Sequence, residues 1–201
     1  MAISYPLTPP AAIRIARITL TGSSAVSRNV SPFTFNVQQY NWTGSTISGQ
    51  VECPPMTRAD AEELLGFLLM AARGTFYFRD YSNPTTRGTM TGSVTLSGAH
   101  AANTTTITIA TTGSGDFAVG DWIQLGATTS AKLHKITQVN SPPNATSYEV
   151  FPLLRSAYAG GDAVVYSSAV GVFRLAQPST EWSIDTAKIY GVNFSIVEEL
   201  A

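Results

Sequence analysis

A single helix in a chain of strands restricts the architectures open to this sequence. The stretch 54–74, PPMTRADAEELLGFLLMAARG, carries the one long helical periodicity in 201 residues. Pro54 and Pro55 hold the incoming backbone extended. Thr57 can then cap free amides while Asp60, three residues on, reaches back in a short version of the capping box. Asp60, Glu62 and Glu63 sit where the helix dipole favours negative charge. Arg73 has the right sign for the last turn, and Gly74 is suited to the left-handed conformation that ends many helices. The spacing therefore predicts a helix over about 57–73.

Ala61, Leu64, Leu65, Leu68 and Ala72 form one apolar stripe at helical spacing. Phe67, Met70 and Ala71 extend it beyond the face that one sheet covers. Either the helix is buried on most of its circumference within one domain, or Phe67, Met70 and Ala71 form a candidate subunit interface.

Around the helix the chain reads as strands. Residues 12–20 (AIRIARITL) form a strand whose apolar phase slips between Ile15 and Ile18, which a bulge would explain. Residues 32–40 place Phe33, Phe35 and Val37 on one face, and Trp42-Thr43-Gly44 turns into a further strand, 45–52. After the helix, 75–79 (TFYFR) alternates Phe76 and Phe78 against Tyr77, and 80–88 (DYSNPTTRG) is dense in turn formers. From Met90 onward Ser, Thr, Gly and Ala rise sharply, and short strands recur at 105–110, 121–125, 132–139, 148–153 and 162–166. That even spacing reads as a small antiparallel barrel. From Val170 the longer strand texture returns, ending in the alternation Tyr190, Val192, Phe194, Ile196. The expected fold class is α+β, mainly β: an antiparallel β-sandwich with one flanking α-helix and an inserted small β-barrel. In domain terms, 1–89 with 170–201 forms the sandwich and 90–169 the inserted barrel; two tandem domains are the alternative.

Only 12% of residues are charged and the formal net charge is −1, with no Lys or Arg cluster. The electrostatic footprint of phosphate-backbone binding is absent, which argues against specific nucleic-acid binding. Cys53 alone builds no intrachain disulfide, and His100 and His134 do not make a metal site with it. No apolar run reaches membrane-spanning length, and the opening MAISYPLTPP lacks a signal-peptide pattern, so a soluble, cytoplasmically made protein is expected. The surface must then be dressed with Thr, Ser, Asn and Gln, or covered by copies and partners.

No reactive constellation is present. Gly113-Ser114-Gly115 lacks the strand-to-helix context of a nucleophile elbow. There is no phosphate loop and no HExxH, and Asp116 and Asp121 lack calcium-loop periodicity. Three N-x-[ST] sequons, at Asn41, Asn103 and Asn144, read as chance in a Thr-rich chain. The expectation is a non-enzyme with no catalytic residue, cofactor or metal.

A chain-long series of weaker features carries a resemblance. Asn41-Trp42-Thr43-Gly44, the strand into Pro54-Pro55, Thr57-Arg58-Ala59-Asp60-Ala61, Phe67, and Ala72-Arg73-Gly74-Thr75-Phe76 come first. Gly120-Asp121-Trp122-Ile123-Gln124-Leu125, Leu133-His134-Lys135-Ile136, Phe151-Pro152-Leu153-Leu154-Arg155 and Gly171-Val172-Phe173-Arg174-Leu175-Ala176 continue it. In this order they resemble the distal tail proteins of siphophages. The resemblance implies a domain related to the tail-tube fold, forming a six-membered ring in the virion between the last tube ring and the baseplate hub. Its partners would be copies of itself, the tail-tube protein, the baseplate hub and other tail-tip proteins. If DNA passes through such a ring, the lumen should carry neutral or acidic side chains. The rival readings are a tail-tube or tail-terminator protein, a head-tail connector, and a tail-tip amidase or peptidase. A carbohydrate-binding tail-fibre module, drawing on Trp122, Tyr148 and Tyr158 as exposed aromatics, is the rival of another class.

Overall fold

The computed structural model describes residues 3–11, 13–81, 85–184 and 189–200. Ala12 and residues 82–84, parts of the expected first strand and of the turn run, lie outside the described residues. The fold is mainly β, with two antiparallel six-stranded sheets and a single α-helix among the described residues. The first sheet uses β1 (Arg17–Val30), β2 (Val37–Glu52), β3 (Phe76–Phe78), β10 (Gly171–Leu175), β11 (Glu181–Ile184) and β12 (Tyr190–Glu198). Its order is β1-β2-β12-β10-β3, with β11 also pairing β12. Strand β12 earns its central place by alternation: Tyr190, Val192, Phe194 and Ile196 are buried on one face, while Asn193 and Ser195 are exposed on the other.

Two sequence expectations change here. The expected strand at 32–40 and turn at 42–44 are replaced by one long β2, and the turn lies instead at 31–36, closed by Ser31 N–H to Asn36 O (2.9 Å) and Phe35 N–H to Ser31 O (2.9 Å). Trp42-Thr43-Gly44 falls at a register shift, where the pairing jumps from Ser24↔Ser45 to Val26↔Asn41. The phase slip at Ile15–Ile18 is a strand start rather than a bulge, because Ile13 and Ile15 precede β1 and pack against the core from outside the ladder.

Helix α1 (Arg58–Ala71) begins where expected, with Thr57 in extended conformation. Thr57 makes no side-chain cap to the backbone; its hydroxyl donates to Asp60 Oδ2 at 3.2 Å instead. The chain enters the helix directly from the sheet, since Met56 and Tyr190 exchange two backbone hydrogen bonds of 3.1 Å. At the other end Arg73 N–H bonds Met70 O and Gly74 N–H bonds Ala71 O, a tightened turn that leaves Arg73 outside the helix. Gly74 is not left-handed. Its lack of a side chain serves a close approach: a Cβ there would lie 2.4 Å from the ring of Tyr5, whose hydroxyl donates to Met70 O at 3.1 Å. Leu7 then pairs in parallel with Phe76, so the N-terminal segment covers the free edge of β3.

The second sheet uses β4 (Val94–Leu96), β5 (Thr106–Thr111), β6 (Trp122–Leu125), β7 (Lys132–Asn140), β8 (Ser147–Phe151) and β9 (Val164–Val165), in the order β4-β5-β8-β7-β6-β9. Thr95 faces Ala163 across the remaining gap, and Leu96 N–H to Asp162 O (2.8 Å) with Gly161 N–H to Leu96 O (2.8 Å) brings the ends together as a nearly closed barrel. Ile107, Ile109, Ile123, Leu125, Tyr148 and Val150 fill it, and Thr side chains dress its outer face.

The barrel and α1 share one face of the first sheet. Cross-strand partners lie on the same face, which groups Gly22, Ser45, Ile47, Phe173 and Glu198 with the core residues Val51 and Ile196. Phe67 meets Phe76 edge to face on that side at 5.6 Å, and Leu133 of the barrel belongs to the same core cluster. Arg155 of the barrel pairs with Glu198, with the Arg side chain 11% and the Glu side chain 1% exposed. Lys132 Nζ donates to Glu199 O, and Trp122 Nε1 to Asp80 Oδ2 at 3.1 Å. On the opposite face, β1, β2 and β12 present Thr19, Thr21, Ser23, Ser48, Gln50, Asn193 and Ser195, a surface mainly of hydroxyls and amides that ends at the oppositely charged rung Arg17↔Glu52.

Candidate assembly interface

The least self-sufficient part of the fold is the β1–β2 hairpin. Strand β12 supports β2 only as far as the Ser48↔Val197 rung, and the side chain of Glu198 accepts the next free amide, Ile47 N–H, at 3.3 Å. Beyond Ile47, both strands run on to the turn at 31–36 paired only to each other. Among the described residues, no strand pairs with the outer edge of β1 or with the outer edge of β2 over residues 37–46. An isolated two-stranded ribbon is marginal in water, and an open edge is a template for another strand.

Apolar residues crowd this ribbon. Val26, Val30, Val37, Tyr40 and Trp42 are exposed, Tyr40 and Trp42 packing edge to face at 4.6 Å. At the turn Phe33 is 92% and Phe35 78% exposed. Phe35 holds φ 55°, a left-handed conformation that costs a bulky residue free energy and is retained where function or context requires it. Val26, Val30 and Val37 lie on one face of the ribbon and Tyr40 and Trp42 on the other, so both faces offer apolar side chains for something to cover. The sequence signal for this ribbon is the run 21–31, TGSSAVSRNVS, in which Val26 and Val30 stand among small and polar residues too sparsely to mark a core face.

The three residues expected at a subunit contact separate. Phe67 and Ala71 are buried inside the subunit, Phe67 against Phe76, because the helix lies in the corner between sheet and N-terminal segment; of the three only Met70 is exposed, beside Leu69. The barrel aromatics are also spent internally. Tyr148 and Tyr158 are buried, and Trp122 faces the first sheet with Lys135 Nζ 4.8 Å from its ring centre. A sugar-stacking platform made of these three rings is therefore not available.

The polar groups elsewhere hold loops. Asp121 accepts from the amides of Arg87, Gly88 and Ala118 at 2.6, 3.1 and 2.8 Å, and Asp116 from those of Asn144 and Ala145 at 2.9 and 2.5 Å. His100 Nε2 lies 3.2 Å from Thr108 Oγ1. His134 is fully buried, Nδ1 against Pro152 O at 2.8 Å, and burial pushes its pKa down to about 4. Burial also raises the Cys53 thiol to about 11. A cleft of about 490 Å³ runs along the C-terminal end of α1 between Arg73, Arg174, Pro178 and Glu199, with Arg174 and Glu199 3.7 Å apart. Among the described residues no group of three or more His, Cys, Asp or Glu could hold a metal ion, and no helix is long and apolar enough to cross a membrane. No family model and no curated protein matches this chain.

Proposed function

We propose that this protein is a structural subunit of a bacteriophage tail, forming a homo-oligomeric ring at the distal end of the tail tube and joining it to the baseplate hub. The observation that carries the ring is the β1–β2 hairpin with two open edges. The outer edge of β1 in one copy and that of β2 in the next are different surfaces, so their pairing is head to tail, and such contacts close into a ring when the rotation per copy permits. The apolar ribbon is then covered by neighbours. The tail identity and the six-membered stoichiometry come from the resemblance to distal tail proteins. The opposite face of the sheet, with its hydroxyls and amides, suits a neutral lumen through which DNA passes without being held. Helix and barrel then lie off the lumen.

A tube or terminator subunit would use the same hairpin, so position in the particle decides. In a reconstruction of the intact virion, the chain should occupy one ring between the last tube layer and the hub, with the hairpins of adjacent copies paired. Density for it in the capsid, at the neck or repeated along the shaft would sink the proposal.

A further inference from the structure

The barrel meets the first sheet at a particular place. The rungs Gly22↔Ile47 and Ser24↔Ser45 are the first and third beyond the last rung of β2 with β12, Ser48↔Val197, and they precede the register shift at Ser24/Val26. Three barrel residues, Phe151, Leu153 and Arg155, converge here. Phe151, at the end of β8, lies over Gly22 so closely that a Cβ on that residue would be 2.6 Å from Phe151 Cε1 and 3.1 Å from Cζ. Gly22 does not have a positive φ, so backbone conformation does not require glycine; the ring above it does. Two residues further along the barrel chain, Leu153 N–H donates to Ser45 Oγ at 3.1 Å. Arg155 then donates from Nη1 to Ser45 O while its other nitrogens hold Glu198, the same carboxylate that accepts Ile47 N–H.

We infer that the barrel is a wedge under the hairpin, and that Phe151 seated on Gly22 and Arg155 on Ser45 fix the angle at which the assembly ribbon leaves the sheet. A two-stranded ribbon beyond its last supported rung bends easily, and a head-to-tail ring closes only for one rotation per copy. The contacts sit where a small displacement is magnified over the whole length of the ribbon. This gives the inserted unit a positioning role within its own subunit. Its consequence for ring closure rests on the proposed function, but the wedge is a property of the single chain.

Electron spin resonance distances in the dilute monomer test it. Spin labels at Thr34→Cys on the turn and Thr137→Cys on β7, in a Cys53→Ala background, should give one narrow distance distribution. Gly22→Val, which drives the Phe151 ring off its seat, should shift and broaden it. Phe151→Ala should broaden it, and combining the two should narrow it again as the valine fills the vacated space. Both single variants keeping the parent distribution while circular dichroism shows them folded would overturn the inference. If Gly22→Val fails to fold, Phe151→Ala decides alone: broadening supports the wedge, and an unchanged distribution overturns it. A parent chain that shows the wedge but never associates in sedimentation at any concentration would leave the wedge standing and count against the ring.

Discussion

Arg155 of the barrel and Glu198 of strand β12 form a two-pronged ion pair buried between the two sheets: Arg155 Nε lies 3.2 Å from Glu198 Oε1, and Nη2 contacts Oε2. Removing one partner of such a pair leaves a buried charge without compensation. Arg155→Met should therefore cost about 3–5 kcal/mol, and Arg155→Met with Glu198→Leu should recover most of it. Urea unfolding of both variants measures this; a single-variant cost near zero would mean that the pair stays hydrated in solution.

His134 gives the stability a defined slope with pH. Its folded-state pKa of about 4 lies below the ordinary 6.5 because burial penalises the charged ring, with the Pro152 carbonyl acting in the opposite direction and Arg155 and Lys132 adding repulsion. The unfolded chain therefore takes up the proton first as pH falls. The contribution is fully present above pH 6.5, is lost progressively between 6.5 and about 4, and amounts to roughly 3 kcal/mol. Stability curves of the parent and His134→Phe at pH 7 and pH 4.5 check it, the difference between parent and variant shrinking on acidification.

Gly74→Ala places a methyl group where the Tyr5 ring now lies. The expected result is release of the N-terminal segment from the edge of β3, at a cost of about 1–3 kcal/mol for the overpacked site. Limited proteolysis reads it as faster cleavage before Phe76, with the barrel peptides unchanged; equal cleavage rates in variant and parent would count against the Tyr5 seat.

Phe67 and Met70 should part company on substitution. Phe67→Asp buries a charge against Phe76 and should unfold the chain, at a cost of several kcal/mol. Met70→Asp, on the exposed side, should change stability by no more than about 0.5 kcal/mol. Thermal melts of the two variants decide, and similar losses in both would show that the outer side of the helix is packed in solution.

The legible parts of the sequence are those where one face meets a core. The helix start at Thr57 and the barrel strands around Ile107, Ile123, Leu133 and Val150 stand out because burial imposes a period on them. Beyond Ser45 the hairpin has no buried face, so period-two reasoning has nothing to detect there; Phe33 and Phe35, expected on one face of a strand, are the most exposed aromatic residues of the ribbon. Of the two readings open for the outer helix face, Phe67 and Ala71 follow the internal one, which hydrophobicity alone does not decide because it does not say which neighbour covers a helix face: here the N-terminal segment and β3 lie against it. Arg155 and Glu198 are unreadable for another reason, since 43 residues separate them and only the docking of the barrel brings them together.

The pairing of Phe78 with Gly171 sets how the molecule carries force. The chain leaves the first sheet at Phe78 and re-enters it at Gly171, directly opposite on the neighbouring strand, after building the whole barrel in between. A pull along the first sheet passes from β3 to β10 through that one rung and its neighbours, in shear, and never enters the backbone of the barrel. The barrel therefore lies outside the tensile path of the first sheet, so a pull applied along that sheet would load its own ladders before it drew out a single barrel strand.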